Sequence, residues 1–253
     1  MARNKQCYID GRRWEPTAVI NAGSAATGAD TTVSHFQVGP YTWTQYNTAA
    51  NTTRIRPQRV TDANCTDGLE LASTNTDNVG GTLTFGGALT DVDTSAPDTF
   101  VVGTDPAFFC EIKIGIPDIS DYDVFGFGFV EPAAAYVAAI DTTAELVAAY
   151  DEKAMIALRD NAGDIGTFTS LAGSDTNTDL AATDWVDDAV KTLRINVSAA
   201  GVVTYLINGA ADANAVAFTF ADATNLKVAL IFAKGAAVAD TPPIIEYVKF
   251  GLQ

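Results

Sequence analysis

The feature that most constrains the fold of this chain is an alternation of apolar and polar side chains, with a period of two, in several short segments. It is clearest in KTLRINVSAAGVVTYLINGA (residues 191–210), where the second run ends on Asn208 and Gly209. A period of two is typical of a strand with one buried face, and Asn-Gly is favoured in two-residue hairpin turns. The segment therefore predicts two antiparallel strands followed by a tight turn. The apolar residues that share a face are Leu193, Ile195 and Val197 in the first strand and Val203, Tyr205 and Ile207 in the second.

The middle of the chain shows the same pattern. In PAFFCEIKIGIPDIS (106–120), five apolar residues alternate with a face that carries Phe109, Glu111 and Lys113. In DYDVFGFGFVEP (121–132), three phenylalanines alternate with a face that carries two glycines, which favours close packing of a neighbouring layer, with the approach of a ligand as the alternative. Both segments are predicted to be strands.

Along the whole chain, ten or eleven short strand candidates follow one another with turn signals every 8–15 residues. The only helix candidate is the Ala-rich stretch 133–150. Such spacing predicts an all-β fold, an antiparallel β-sandwich or barrel, rather than alternating strands and helices. We divide the chain into an extended N-terminal docking segment (1–60) and a β-sandwich (61–253).

Charge is distributed unevenly along the 253 residues, whose formal net charge is −16. Residues 1–60 hold seven Lys/Arg against three acidic residues (+4), and the rest hold eight against 28 (−20). The acidic balance argues against nucleic acid as a partner. No apolar run approaches the roughly 18 residues of a membrane span, so no membrane partner is predicted. The basic N-terminal segment is interpreted as a surface that docks on an acidic partner, with ordinary variation of surface charge as the alternative.

Aromatic and arginine residues in this segment are the candidates for contact with a shell or with neighbouring subunits, because Tyr, Trp and Arg commonly anchor interfaces. Packing on the chain's own sandwich is the alternative for the aromatic residues. The predicted contact residues are Trp14, Tyr41, Trp43, Tyr46, Arg54, Arg56 and Arg59.

The sequence offers little for catalysis. The single histidine, His35, lies in a Thr-rich stretch without a neighbouring nucleophile motif, and one histidine excludes a histidine-based metal site. The carboxylate pairs lie at strand ends or turns, where aspartate bonds to the local backbone; they are Asp91/Asp93, Asp121/Asp123 and Asp187/Asp188. Oxygen-rich loops at 160–164 (DNAGD) and 175–179 (DTNTD) leave calcium binding open, although neither fits the twelve-residue calcium loop. We predict no enzyme activity, no cofactor and no assigned metal ligand. The three cysteines are interpreted as free thiols.

Residues 105–250 as a whole resemble the concanavalin A-like jelly roll of laminin-G and glucanase type, in the form found in structural proteins of tailed-phage virions. The matching segments are TLRI (192–195), GVVTY (201–205), ING (207–209) and EYV (246–248). The resemblance covers roughly 150 residues and implies fold more strongly than function. The Glu-x-Asp-x-(x)-Glu strand of glucanases has no counterpart here, as expected for a structural or binding member.

The resemblance implies a non-enzymatic virion protein, a capsid decoration (cement) protein on the head surface. Its partners would then be the major capsid protein shell and neighbouring copies in a homotrimer. The alternative is a glycan-binding, lectin-like module on a virion or tail, with Trp185 and the strand of Gly126 and Gly128 as the sugar surface. A glycoside hydrolase or lyase that uses Asp121 and Asp123 is the third hypothesis.

Overall fold

The computed structural model describes residues 5–13, 17–20, 32–38, 41–47, 58–62, 64–70, 80–86, 98–132, 150–158, 163–180, 184–234 and 243–253. Within these ranges every strand pairing is antiparallel, and the one helical element is a 3-10 turn at Ile119–Asp121. No helix in these ranges has the length and apolar character needed to cross a membrane. The predicted all-β, antiparallel fold class is confirmed.

Two sheets make up the described fold, and their strands are numbered in chain order. The first sheet has the strand order β16 (Ala210–Ala211), β15 (Val202–Ile207), β14 (Val190–Val197), β9 (Phe108–Gly115), β19 (Ile244–Leu252), β6 (Asp67–Glu70) and β5 (Gln58–Thr61). In addition, β1 (Gln6–Asp10) pairs with β19, and β17 (Phe218–Thr219) pairs with β15. The second sheet has the order β13 (Ser174–Asp179), β12 (Ile165–Leu171), β11 (Lys153–Leu158), β10 (Tyr122–Val130), β18 (Asn225–Lys234), β7 (Gly80–Thr84), β4 (Tyr41–Asn47), β3 (Thr32–Val38) and β2 (Thr17–Ile20), and β8 (Thr99–Val101) pairs with β18.

The core lies between the two sheets and is rich in aromatic side chains. Phe108 of the first sheet packs edge-on against Phe129 of the second, with ring centres 5.2 Å apart, and stacks on Phe100 at 4.7 Å. All three rings are fully buried. Offset and edge-to-face ring pairs are favourable beyond the area they bury. The apolar faces predicted from the alternation therefore meet in one interior.

The hairpin predicted at residues 191–210 is present. β14 pairs with β15 in the register Ile195↔Tyr205, which places the alternating apolar residues of both strands on the core side. Asn208 (φ +52°) and Gly209 (φ +82°) form a two-residue turn between β15 and β16. Positive φ at both turn residues matches the right-handed twist of the flanking strands, so the Asn-Gly signal is confirmed.

Several described strands lie within residues 1–60. β1 pairs with β19 and buries Cys7 and Ile9 in the core, whereas β4 pairs with β7 of the second sheet. These strands are parts of the two sheets, so the boundary at residue 60 does not coincide with the edge of the sandwich. The helix candidate at 133–150 lies outside the described residues apart from Tyr150.

Candidate functional site

A row of charged and aromatic side chains crosses the outer face of the first sheet. The register places Arg194 of β14, Glu111 of β9, Lys249 of β19 and Tyr8 of β1 side by side. The Glu111 carboxylate accepts hydrogen bonds from Arg194 Nη1 (2.9 Å) and from the Tyr247 hydroxyl (2.7 Å), and it pairs with Lys249 Nζ at 2.8 Å. One carboxylate thus connects three strands on this face.

A second cluster continues the network toward the end of β1. Glu246 forms ion pairs with Lys113 Nζ (2.9 Å) and with Arg12 Nη1 (3.2 Å). Asp10 accepts from Arg12 Nε (3.2 Å) and pairs with Arg13 Nε (3.3 Å). We call the whole surface the charged face; its members are Asp10, Arg12, Arg13, Glu111, Lys113, Arg194, Glu246 and Lys249.

Three aromatic rings lie among these charges. Tyr8 is more than half exposed, and its ring centre is 6.1 Å from that of Tyr247. The Arg194 guanidinium carbon lies 4.0 Å from the ring centre of Phe109, a cation–π contact. Lys249 Nζ lies 5.4 Å from the ring centre of Tyr247. The face therefore offers ring surface and hydrogen-bonding groups together, on strands that hold both in place.

Two groups of the network, Glu111 and Tyr247, have pKa values shifted away from neutral pH. Burial alone would raise the pKa of Glu111, but hydrogen bonds from Lys249, Tyr247 and Arg194 outweigh burial and lower that pKa below its ordinary value. Burial, together with the hydrogen bond to the Glu111 carboxylate, raises the pKa of Tyr247 to about 12. Since a general acid or base works best with a pKa near the operating pH, neither group is suited to proton transfer at neutral pH.

The outer face of the second sheet has a different character. Met155, Ala157, Ala229 and Ile231 alternate with core residues along β11 and β18, yet they are fully or almost fully buried. A Cβ atom at Gly128 would lie 2.2 Å from the Ala154 carbonyl oxygen and 2.8 Å from Ile195 Cδ1. The close approach expected at this glycine-bearing strand is thus made by the protein's own strands.

Of the seven predicted contact residues, Trp43 is the one whose side chain the structure describes. Trp43 is fully buried, and its ring centre lies 4.9 Å from that of Phe85. It therefore packs inside the chain's own sandwich and offers no surface to a partner. Tyr41, Tyr46 and Arg59 lie on β4 and β5. The remaining three, Trp14, Arg54 and Arg56, lie outside the described residues.

Trp185, predicted as part of a sugar surface, is only 1% exposed. Its ring packs edge-on against Phe125 at 5.5 Å, and its Nε1 donates to the Ala189 carbonyl oxygen at 2.9 Å. The prediction is wrong for this residue, because the hydrophobic effect and this hydrogen bond hold the indole in the interior.

The carboxylate pairs and oxygen-rich loops are placed as follows. Asp187 Oδ1 accepts a hydrogen bond from the Ile119 backbone N–H (2.9 Å), which is 68 positions away in the chain and is therefore not the local bond expected of a turn aspartate. The DTNTD segment is strand β13, with Asp175 Oδ1 paired to Lys153 Nζ at 2.7 Å. Within the described ranges no group of three or more His, Cys, Asp or Glu side chains is arranged to hold a metal ion. Asp91/Asp93 and most of DNAGD lie outside those ranges, and Asp121/Asp123 lie at the start of β10.

The charged face was not predicted as a site. The alternation did place Phe109, Glu111 and Lys113 on one side of a strand and Arg194 on the polar side of another. It gave no indication that these strands are neighbours, since Glu111 and Arg194 are 83 positions apart.

Comparison with solved structures finds a similar fold in carbohydrate recognition domains. A mutant form of the carbohydrate recognition domain of Emp46p matches with a TM-score of 0.52 and 11% identity, over 83% of this chain and 87% of that chain. The potassium-bound form of that domain matches with a TM-score of 0.52 and 12% identity, over 83% and 88% of the two chains. An alginate lyase from Pseudomonas aeruginosa matches with a TM-score of 0.49 and 14% identity, over 79% and 87%. No protein-family model and no curated protein matches the chain. At 11–12% identity the likeness to the Emp46p domain establishes the fold alone.

Proposed function

We propose that this chain is a non-catalytic, carbohydrate-binding module and that the charged face is its binding surface. The observation that carries the proposal is the placement of Tyr8 and Tyr247 beside a network of charged hydrogen-bonding groups on rigid strands. Tyrosine combines an apolar ring with a polar end, which suits a ligand such as a sugar that has both apolar C–H surface and hydroxyl groups.

The state of the carboxylates supports binding without catalysis. Hydrolysis of a glycosidic bond commonly requires two carboxyl groups that flank the bond, one of them protonated. On the charged face Asp10, Glu111 and Glu246 each pair with at least two cationic or hydroxyl donors. For Glu111 the hydrogen bonds lower the pKa of the carboxyl group, so this residue is a poor proton donor.

The fold supports the same proposal at a coarser level. The Emp46p domain is described as a carbohydrate recognition domain, and its sheets match most of this chain. Because one fold hosts many functions, the assignment of carbohydrate binding depends on the face itself and has to be tested on it.

The test is a broad glycan array probed with the whole chain and with two variants. Tyr8→Ala removes an exposed ring from the charged face, whereas Val202→Ala removes a comparably exposed apolar side chain from β15. We expect binding by the unmodified chain and by Val202→Ala, and at least about fivefold weaker binding by Tyr8→Ala, since the contact of an aromatic ring contributes on the order of 1 kcal/mol or more. Absence of binding to every glycan would overturn the proposal.

A second candidate is the virion decoration protein that the sequence resemblance implies. The specific observation in its favour is the exposure of Arg12 and Arg13, two cations of the basic N-terminal segment, in a chain of net charge −16. In that role they would meet an acidic capsid surface, and charge complementarity would set the encounter rate and the register.

Co-sedimentation with purified phage heads that lack the chain tests this candidate. The full chain is compared with a double variant, Arg12→Gln and Arg13→Gln, because removal of residues 1–60 would take away strands of both sheets. Saturable binding that the double variant loses supports decoration, and absence of binding by the full chain counts against it. Sedimentation velocity of the free chain tests the implied trimer.

A further inference from the structure

We infer that the ligand of the charged face is an acidic oligosaccharide, that is, a short chain of sugar rings bearing carboxylate or sulfate groups. The inference rests on the proposed carbohydrate function and specifies the chemical class of the ligand. It follows from how charge is layered on this face, from the way Arg194 is held, from the spacing of the cations and from the overall charge of the chain.

Charge on this face is separated by depth. The side chains of the three carboxylates, Asp10, Glu111 and Glu246, are each only 8% exposed. The five cations are more exposed, from 26% for Arg194 to 82% for Arg13. A ligand that approaches from solvent therefore meets ammonium and guanidinium groups first. With five cations above three carboxylates, the face carries a local excess of positive charge on an otherwise acidic protein.

Arg194 is held in one position before any ligand arrives. Its guanidinium lies over the Phe109 ring, its Nη1 donates to Glu111 and its Nε donates to Asn196 Oδ1 at 2.8 Å. Within the described residues its remaining terminal nitrogen, Nη2, makes no hydrogen bond. A fixed guanidinium with a remaining donor loses little conformational entropy when it binds a carboxylate or sulfate oxygen.

The spacing of the cations fits a ligand with repeated acidic groups. Arg194 and Lys249 flank Glu111 on the two neighbouring strands, so their backbones are about 10 Å apart, two strand spacings. Lys113 lies on the same strand as Glu111, two residues further along. A ligand lying across the strands would bring successive acidic groups to successive cations, with Tyr8 and Tyr247 beside its rings.

The overall charge of the chain favours a short glycan over nucleic acid. A long polyanion would extend beyond the charged face onto a protein of net charge −16 and be repelled there. At physiological ionic strength, charges further away than about 8 Å are largely screened, so a ligand confined to the face experiences mainly the local cations. An oligosaccharide with a few acidic groups meets this condition.

The experiment is isothermal titration calorimetry of the whole chain with four probes of similar length. These are hexamers of galacturonic acid, a sulfated galactose hexamer, a neutral galactose hexamer and a single-stranded DNA hexamer. We expect binding of at least one acidic hexamer, weak or no binding of the neutral one, and a loss of affinity of about tenfold or more between 50 and 500 mM NaCl as screening increases. The two acidic probes distinguish carboxylate from sulfate as the recognised group.

Three variants test the residues. Arg194→Gln should weaken binding of the acidic hexamer by about tenfold, the usual result of losing one charge-assisted hydrogen bond. Arg13→Gln, at a largely exposed position where folding is not at risk, should weaken it about two- to threefold. Lys191→Gln removes a half-buried cation on the same strand as Arg194 but outside the charged face, and we expect no change. Thermal melts of each variant separate loss of binding from loss of structure.

Each outcome bears on the inference separately from the proposed function. If the neutral hexamer binds as tightly as the acidic ones, carbohydrate binding stands and the acidic ligand class is overturned. If neither these hexamers nor any glycan on the array binds, both proposals fail. If the DNA hexamer binds as well as the acidic sugars, the face is a general anion surface and the inference of a sugar ligand is overturned. Equal binding by the unmodified chain, Arg194→Gln and Arg13→Gln would place the ligand elsewhere.

Discussion

The outer face of the first sheet is charged and accessible to solvent, whereas the outer face of the second sheet is largely apolar at its centre and buried. Both faces belong to the same sandwich and alternate with the same core. On the first sheet the outward positions of β9 and β19 carry Glu111 and Lys249; on the second, those of β11 and β18 carry Met155 and Ile231. Strand alternation therefore gives each sheet an inward and an outward face, but it does not determine whether the outward face is exposed to solvent.

The two faces also differ in their ion pairs. Lys227 of β18 and Asp98, which directly precedes β8, are both fully buried, with Nζ and Oδ1 3.4 Å apart. Lys113 of the charged face pairs with Glu246 at 2.9 Å while about a third of its side chain is exposed. A buried charge without its partner is strongly unfavourable, whereas an exposed pair contributes little. Stability should therefore depend on the second sheet's pair, and binding on the first sheet's cations.

The largest effect is expected from Lys227→Met, which keeps most of the side-chain volume but removes the charge opposite Asp98. We expect the free energy of unfolding to fall by about 3–5 kcal/mol, since a buried carboxylate loses a cationic partner. The matched change on the charged face, Lys113→Met, should cost at most about 1 kcal/mol. Urea unfolding followed by circular dichroism measures both. Equal losses in the two variants would contradict the difference between the faces.

A second test concerns the close packing at Gly128. In Gly128→Ala the new methyl group meets the Ala154 carbonyl oxygen and Ile195 Cδ1 at distances below normal contact. Because a packed interior relaxes only partly, we expect a loss of about 2–3 kcal/mol of unfolding free energy. Thr204→Ala, on the exposed side of β15, serves as the control and should change stability by less than about 0.5 kcal/mol. An unchanged free energy of unfolding in Gly128→Ala would mean that the strands separate easily at this point.

The third test uses pH to isolate Glu111 on the charged face. Since hydrogen bonds lower the pKa of Glu111 in the folded state, its stabilising contribution is present above the ordinary carboxyl pKa of 4.5 and is lost as pH falls through the lowered value. Glu111→Gln should therefore cost about 1.5 kcal/mol at pH 7, the usual size for charge-assisted hydrogen bonds. The difference between the two proteins should shrink steadily as pH falls below 4.5.

Urea unfolding of both proteins at a series of pH values between 7 and 3 gives this difference directly. Titration of the other carboxylates affects both proteins alike and cancels. A difference that stays constant over the whole range would show that Glu111 contributes through packing and not through its charge.

Much of the fold could be predicted from the sequence, because the residues that decide it are local. The alternation in 106–120 and 191–210 identified β9, β14 and β15 and the inward side of each. The strands β2 to β4 were missed, since segments such as TVSHFQV have too few apolar residues to reveal a buried side. Trp43 was predicted as a contact residue because tryptophan commonly anchors interfaces, with packing on the chain's own sandwich as the alternative. The structure has that alternative, since pairing of β4 with β7 takes Trp43 into the interior.

The charged face could not be predicted, because it depends on register between strands that are distant in sequence. Glu111 meets Arg194 and Tyr247 only when β9 lies between β14 and β19 in one register, and a slip of one residue would turn these side chains into the core. Similarly, Lys227 in NLKVALIFAK would be assigned to a solvent-facing side by alternation alone. In the structure it is fully buried, and no local pattern reveals this.

The smallest expected effect compares two tyrosines on opposite sides of the first sheet. Tyr247 faces outward and donates its hydroxyl hydrogen bond to Glu111 at 2.7 Å. Tyr205 faces the core, and its buried hydroxyl has no hydrogen-bond partner in the part of the chain that the structure describes. Tyr247→Phe should lower the unfolding free energy by about 1 kcal/mol. Tyr205→Phe should leave that free energy unchanged or raise it slightly, because the substitution removes a buried hydroxyl that makes no hydrogen bond within the described residues.

Chemical unfolding of the two variants, which differ from the parent by one oxygen atom each, measures this comparison with little disturbance of packing. A loss of similar size in Tyr205→Phe would mean that its hydroxyl is satisfied by an interior water molecule, and the core side of the first sheet would then be more polar than its side chains suggest. An unchanged free energy of unfolding in Tyr247→Phe would mean that Arg194 and Lys249 alone provide the partners that the Glu111 carboxylate needs. The network on the charged face would then owe its stability to ion pairs, and its affinity for an acidic ligand should fall with salt in parallel with its stability.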